Sequence, residues 1–258
     1  MSIVAAHDGY RLWYDVVGDG PAIIMPARFR AEFAALGAAL ADKHRVVRYK
    51  PRQVVGVMEP EPESGGPWDP GSWSHYPLDV EIADLHTVAD TAGVTDFVLA
   101  GYSGMAALAA FLAPHTHRAA GLMVGGFPLL ASRDYWLGFE EGARAALIQA
   151  GLPDKAADHH IGRLLYREWA NRNDTAALTA MTRPKILWYG SRDCEPDCRM
   201  YDFVGGAAIA RTIRSHTEDL HQAGFDLIEL DDHDHIAALT DTDLIAPQLS
   251  TALAKAGW

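Results

Sequence analysis

The sequence predicts an α/β fold built on a mostly parallel, doubly wound sheet of about eight strands. Short apolar runs alternate along the chain with stretches that have helical periodicity. The runs at residues 22–25 and 119–125 contain no polar residue, as expected for strands that helices cover on both faces. The chain has 258 residues, of which 49% are hydrophobic, and this is enough to bury such a core.

The elements follow from the apolar pattern. The N-terminal part alternates like a β-hairpin with a turn at residues 7–9, whose Asp-Gly pair is a strong hairpin signal. Strands are expected at residues 3–6, 10–17, 22–25, 45–49, 96–100, 119–125, 185–190 and 225–230. Helices of the core are expected at residues 31–43, 78–92, 103–112, 206–223 and 244–256.

The alternation breaks once, where helical patterns at residues 135–149, 155–171 and 174–181 occur without a convincing strand. We therefore expect an α/β core formed by residues 1–127 and 182–258. A helical cap, residues 128–181, is inserted after the sixth strand. The aromatic side chains of the cap either line a substrate pocket or form a small core of the cap, which is the commoner role of aromatics at helical spacing. The pocket candidates are Tyr135, Trp136 and Trp169.

Ser103 lies in the segment Ala-Gly-Tyr-Ser-Gly-Met, between an apolar strand and an Ala- and Leu-rich helix. A Gly-x-Ser-Gly turn in this setting has the layout of a nucleophile elbow, which raises the serine hydroxyl above the end of a sheet. Met105 stands where the usual pattern Gly-x-Ser-x-Gly has its second glycine. The alternative interpretation is an ordinary strand-to-helix turn that contains a serine.

A serine nucleophile needs a base that takes its proton and a carboxylate that orients this base. Asp193 and His235 each follow a later predicted strand, and the carboxyl ends of parallel strands share one edge of the sheet. Two choices stay open, because Asp197 competes with Asp193 and His233 with His235. We favour Asp193, which is nearer to its strand, and His235, which precedes the terminal helix.

With a serine, an aspartate and a histidine in this order, the chain resembles the α/β-hydrolase superfamily, specifically its capped serine hydrolases with a Ser-Asp-His triad. The resemblance extends over nearly the whole chain. It includes Gly-Ser-Arg-Asp at residues 190–193 and Asp-His-Ile-Ala-Ala-Leu at residues 234–239. It implies that Ser103, Asp193 and His235 are the catalytic residues.

The resemblance also implies an oxyanion hole made of two backbone N–H groups. One belongs to Gly104, after the nucleophile, and the other to Arg28, in the loop after the third strand. The family often has His-Gly before the second donor, whereas this chain has Pro26-Ala27. Arg28 and Arg30 bring positive charge to the expected pocket edge, where they either attract a carboxylate-bearing substrate or are plain surface residues.

The implied activity is cleavage of an ester, thioester or lactone with a small to medium, largely apolar acyl group, through an acyl-serine. Acyl transfer or cyclisation would use the same residues, and a ligand-binding or lyase-type protein on the same scaffold is the alternative from another class. No cofactor or metal is expected. Cys194 and Cys198 lack a second Cys/His pair with zinc-site spacing, and we interpret them as free thiols.

The formal net charge of −12 disfavours nucleic acid and anionic membrane as partners. The expected partner is a small acyl substrate, and a second copy of the chain is left open. No apolar run reaches the roughly 18 residues of a membrane span. Residues 1–10 do not have the pattern of a signal peptide, so a cytoplasmic location is expected.

Overall fold

A computed structural model describes residues 2–52, 72–170, 174–181, 184–198 and 208–258. Its centre is one eight-stranded sheet with the order β1-β2-β4-β3-β5-β6-β7-β8. The strands are β1 (Ser2–Ala5), β2 (Arg11–Val17), β3 (Ala22–Pro26), β4 (Arg45–Tyr49), β5 (Phe97–Tyr102), β6 (Ala119–Gly125), β7 (Lys185–Gly190) and β8 (Asp226–Leu230). β1 and β2 are antiparallel to their neighbours, and the other strands pair in parallel. The predicted fold class is confirmed.

The burial of the central strands accounts for their apolar sequences. Every residue of β3, β5 and β7 is buried, because helices cover both faces of the sheet there. β1 and β8 form the two edges of the sheet, and both have exposed or partly exposed residues. Because β3, β5, β6, β7 and β8 run in parallel, their carboxyl ends lie along the same side of the sheet.

The helices of the described residues are α1 (Ala34–Leu40), α2 (Leu78–Thr91), α3 (Gly104–Leu112), α4 (Arg133–Gln149), α5 (Ala156–Ala170), α6 (Asp174–Ala180), α7 (Ile209–Ser215), α8 (Thr217–Gln222), α9 (Ala237–Thr240) and α10 (Thr242–Lys255). α1 is shorter than predicted, because Phe33 has a left-handed φ of 61° and reverses the chain before the helix begins. The prediction of a single helix at residues 206–223 is wrong within the described range. Two helices, α7 and α8, occur there and are separated at His216, which has a φ of −115°.

Three helices, α4 to α6, stand between β6 and β7 in the range of the predicted cap. α4 and α5 pack against each other along their length. That residues 128–181 form a separate cap domain remains a prediction. Within the described ranges, none of the helices combines the length and the apolar composition of a membrane span.

Arg52 ties the N-terminal hairpin to α2 through a buried ion-pair network. Its guanidinium donates to both carboxylate oxygens of Asp84 at 2.5 Å, and to those of Asp8 at 2.5 and 3.2 Å. The side chains of Arg52 and Asp84 are only 1% and 0% exposed. The hydrogen bond from Arg52 lowers the pKa of Asp8 to about 2. Since a buried charge depends on its partner, this network is a sensitive point of the fold.

Candidate active site

Ser103 occupies the sharp turn between β5 and α3. Its backbone has a φ of 55° and a ψ of −129°, a conformation that is strained for any residue other than glycine. The turn is tight enough that a Cβ at Gly101 would lie 2.4 Å from the carbonyl oxygen of Met105. Ser103 is partly exposed at the sheet edge, whereas Met105 is buried. This is the geometry expected of a nucleophile elbow, and Met105 fits it as a core residue.

Gly104 is the first residue of α3 and is exposed. The first N–H groups of a helix have no carbonyl one turn earlier to accept them, and they carry the positive end of the helix dipole. The N–H of Gly104, directly after Ser103, is therefore a hydrogen-bond donor suited to binding a negatively charged group. Its role in an oxyanion hole remains a prediction.

Asp193 and His235 form a buried hydrogen-bonded pair at the same sheet edge. The Nδ1–H of His235 donates to Oδ1 of Asp193 at 2.7 Å, and the two residues are 3% and 0% exposed, respectively. Asp193 follows β7 and His235 follows β8, so the pair bridges the turns after two neighbouring strands. With Nδ1 as the donor, Nε2 is the ring nitrogen that is left to accept a proton.

The two competing side chains have other partners. A ring nitrogen of His233 donates to the backbone carbonyl of Asp231 at 2.6 Å, which raises the pKa of His233, and Nε2 lies 3.1 Å from Asp241. Asp197 is exposed and accepts from Arg192 at 3.0 Å. The structure therefore brings together the aspartate and the histidine that we favoured.

Tyr102 is a residue of this site that the sequence reasoning missed. Its hydroxyl donates to the backbone carbonyl of His235 at 2.8 Å and approaches Oδ2 of Asp193 at 3.4 Å. Its ring centroid lies 5.0 Å from that of His235, and burial raises the pKa of the phenol well above its usual range. The sequence feature that could have indicated this role is a tyrosine at the end of an apolar strand, directly before the candidate nucleophile.

Among the described residues, Asp193, Cys194 and His235 form a cluster whose ligand atoms lie within 4.8 Å of one another, as a metal ion would need. The donor set fits a metal poorly, because the Nδ1–H of His235 donates to Asp193, so a proton occupies the lone-pair position that a metal ion would need. Cys194 and Cys198 are free thiols, as interpreted from the sequence.

The loop after β3 differs from the expectation. The backbone N–H of Arg28, the predicted second oxyanion donor, donates to the carboxylate of Glu32. The guanidinium of Arg28 donates to the same carboxylate from Nε at 2.9 Å and from Nη2 at 2.5 Å. As the loop stands, this donor is not free, because a side chain four residues later folds back onto it.

The aromatic pocket candidates have mostly packing roles. Trp136 and Trp169 are 8% and 1% exposed, and both stack near-parallel on Tyr166, with centroid distances of 6.3 and 6.0 Å. Phe127, which follows β6, stacks on Trp136 at 5.5 Å. Tyr135 is 40% exposed and meets Trp136 edge-on, with a centroid distance of 5.2 Å. A narrow crevice adjoins the stack, and it is too tight to hold a water molecule. The contacts favour the core interpretation, and a substrate-lining role remains a prediction.

Gly190 holds the two loops of the Asp193–His235 pair close together. A Cβ at this position would lie 2.1 Å from the carbonyl oxygen of His233. We expect Gly190→Ala to displace the histidine loop, to lower the free energy of unfolding by about 1–3 kcal/mol, and to reduce any turnover by about 100-fold, since small misplacements of catalytic groups are costly. Urea unfolding and steady-state kinetics measure both.

Gly138→Ala is the matched control, because Gly138 lies in α4 and nothing stands within 4 Å of the added Cβ. This variant should gain about 0.5–1 kcal/mol in stability and keep its activity. Equal behaviour of the two variants would show that Gly190 does not set the loop geometry.

No family model and no curated protein match this chain. Solved structures do match it. An α/β hydrolase from Sphaerobacter thermophilus DSM 20745 is 20% identical, with a TM-score of 0.64 over 97% of this chain and 99% of that one. An enol-lactonase from Burkholderia xenovorans LB400 is 17% identical, with a TM-score of 0.63 over 98% and 100%. A thermophilic esterase from Thermogutta terrifontis is 15% identical, with a TM-score of 0.65 over 99% of each chain. At these identities the likeness concerns the fold.

Proposed function

Since the chain has the α/β-hydrolase fold, we propose that it is a serine hydrolase that cleaves an ester, thioester or lactone through an acyl-Ser103 intermediate. The observation that carries this proposal is the buried hydrogen bond between Asp193 and His235, at the sheet edge where Ser103 stands in its strained turn. A histidine without a catalytic role would have no need of a fully buried carboxylate partner such as Asp193, which is 0% exposed.

In this mechanism the Oγ of Ser103 attacks the substrate carbonyl carbon while Nε2 of His235 takes the hydroxyl proton. The Asp193 carboxylate stabilises the resulting imidazolium and holds its orientation. His235 then gives the proton to the leaving oxygen or sulfur, and the bond between that atom and the carbonyl carbon breaks. In the second half, water or another acceptor attacks the acyl-serine with His235 again as the base.

The tetrahedral intermediates require donors for the oxyanion. The N–H of Gly104 at the start of α3 is the first. The N–H of Arg28 becomes the second only when the Glu32 carboxylate leaves it. We propose a small to medium, largely apolar acyl part for the substrate, and the acceptor is water or an alcohol or amine.

One observation favours a second candidate function. A carboxylate on the Arg28 N–H disfavours a negative charge at that point, which suits a lyase-type or binding protein in which Ser103 only contacts the ligand. In such a protein His235 would act as a general base on the ligand itself, and no acyl-enzyme would form.

The test is labelling of the folded protein with a fluorophosphonate probe, followed by intact-mass and peptide analysis. We expect one adduct on Ser103 that is absent in Ser103→Ala. Ser215→Ala is the control, because Ser215 is an exposed serine whose hydrogen bonds are local, with the Thr212 carbonyl at 2.7 Å and with Nδ1 of His216 at 3.1 Å. A parallel screen covers p-nitrophenyl esters, acyl thioesters and lactones. Absence of the adduct, or unchanged turnover in Ser103→Ala, would reject the hydrolase and favour the second candidate.

A further inference from the structure

Arg28 directs several N–H groups at a single carboxylate. Its backbone N–H donates to Oε2 of Glu32, and its Nε and Nη2 donate to Oε1 at 2.9 and 2.5 Å. A guanidinium and a carboxylate match each other in charge and in planar geometry, so these donors form a complete carboxylate site within one residue. Glu32 fills it from the same loop.

The burial of the two partners is unequal. The Glu32 side chain is 2% exposed and that of Arg28 is 39% exposed. The Arg28 side chain is therefore accessible to solvent, whereas the Glu32 side chain is not. A ligand arriving from solvent meets Arg28 first.

The main chain of this loop is held without the Glu32 carboxylate. Nη1 of Arg48 donates to the backbone carbonyls of Arg30 at 2.7 Å and of Glu32 at 3.0 Å. Arg48 is itself fixed by Asp15 on β2, which accepts from its Nε at 3.0 Å. The Glu32 side chain can thus change partner while its backbone stays in place.

A neutral ester cannot readily displace Glu32. Its carbonyl oxygen is a weaker acceptor than a carboxylate, because hydrogen bonds to ionised acceptors are about twice as strong as neutral ones. Displacement by a neutral group would also leave the Arg28 guanidinium without its ion pair. A substrate that carries its own carboxylate avoids both costs, since one carboxylate replaces another.

We propose that Glu32 occupies the place of a substrate carboxylate, and that the preferred substrates are esters, thioesters or lactones bearing a carboxylate close to the scissile carbonyl. The substrate carboxylate takes Nε and Nη2 of Arg28, Glu32 turns towards solvent, and the Arg28 N–H becomes free for the carbonyl oxygen. The two Glu32 oxygens bridge the backbone and guanidinium donors. The two substrate groups must therefore be separated by a short spacer, as in a succinyl half-ester. The catalytic part of this inference rests on the proposed function.

The kinetic test compares monoethyl succinate with ethyl butyrate, in which a methyl group replaces the carboxylate, and follows ethanol release by NMR. We expect kcat/KM to favour the succinate by about tenfold or more, which is the scale of one charge-assisted contact. Arg28→Gln should reduce this ratio to near one. Arg30→Gln, which removes a neighbouring arginine of the same loop, is the matched control and should retain the ratio.

Glu32→Gln gives a different signature from Arg28→Gln. It keeps the shape of the side chain but removes the competing charge, so both esters should be turned over faster, and the preference for succinate should persist because the Arg28 guanidinium is intact. A wild-type ratio near one, or a Glu32→Gln variant that loses activity equally on both esters, would overturn the inference.

A binding measurement separates this inference from the proposed function. Succinate is titrated calorimetrically into the Ser103→Ala protein and into Ser103→Ala combined with Arg28→Gln. Binding to the first that is lost in the second supports the carboxylate site even when the fluorophosphonate test rejects an acyl-serine. If neither protein binds succinate, the inference is wrong, whatever the probe shows about Ser103.

Discussion

Replacing His235 with alanine is expected to lower kcat by about four to six orders of magnitude and to change KM only slightly. The imidazole takes the Ser103 proton in the transition state but contributes little to ground-state binding, and its partner Asp193 would be left buried without a donor from the ring. Steady-state kinetics on the best ester from the substrate screen measures this effect. Circular dichroism establishes that the variant is folded.

His233→Ala is the matched control, because this histidine lies two positions earlier in the same loop and bonds to Asp231 and Asp241 instead. It should change kcat by less than about tenfold. A large loss in His233→Ala with little loss in His235→Ala would reverse the assignment of the base.

Replacing Arg52 with methionine is expected to lower the free energy of unfolding by about 3–5 kcal/mol, because it leaves a buried carboxylate without its counter-ion. Asp84 is 0% exposed and accepts two hydrogen bonds from Arg52. Urea unfolding monitored by tryptophan fluorescence measures the change. Adding Asp84→Leu to the same chain should recover much of the loss, since no charge is then left buried.

Arg192→Met is the matched control for charge removal, because Arg192 also has two acidic partners, Asp197 and Asp232, but all three side chains are exposed. Its effect on stability should be far smaller than that of Arg52→Met. If the two variants destabilise equally, burial is not the source of the Arg52 effect.

The departure from the usual His-Gly loop now has a structural description. Pro26 and Ala27 are buried at the end of β3, and the chain then forms a turn in which Glu32 reaches the Arg28 N–H. The altered residues alone did not reveal this contact, because the acceptor is a side chain four residues away. The candidate oxyanion hole therefore differs from the expectation by an added carboxylate rather than by a missing backbone donor.

Local sequence pattern was sufficient for the sheet and for the elbow. A strand buried on both faces is largely apolar, and a turn as tight as the one at Ser103 requires a residue without a Cβ at Gly101. Helix boundaries were less readable. Phe33 and His216 interrupt helical patterns through their backbone angles, with φ of 61° and −115°.

By itself, the sequence determined the order of strands and helices, the strained position of Ser103, and the sheet edge where an acid and a histidine follow two later strands. Only the tertiary structure decided that Asp193 pairs with His235, that Tyr102 supports this pair, and that Glu32 covers the Arg28 N–H. The physical reason is the range of the interactions. Burial leaves a periodic pattern in the sequence, and turn geometry restricts adjacent residues, so both can be predicted locally. A hydrogen bond made by a side chain depends instead on where the fold places both partners.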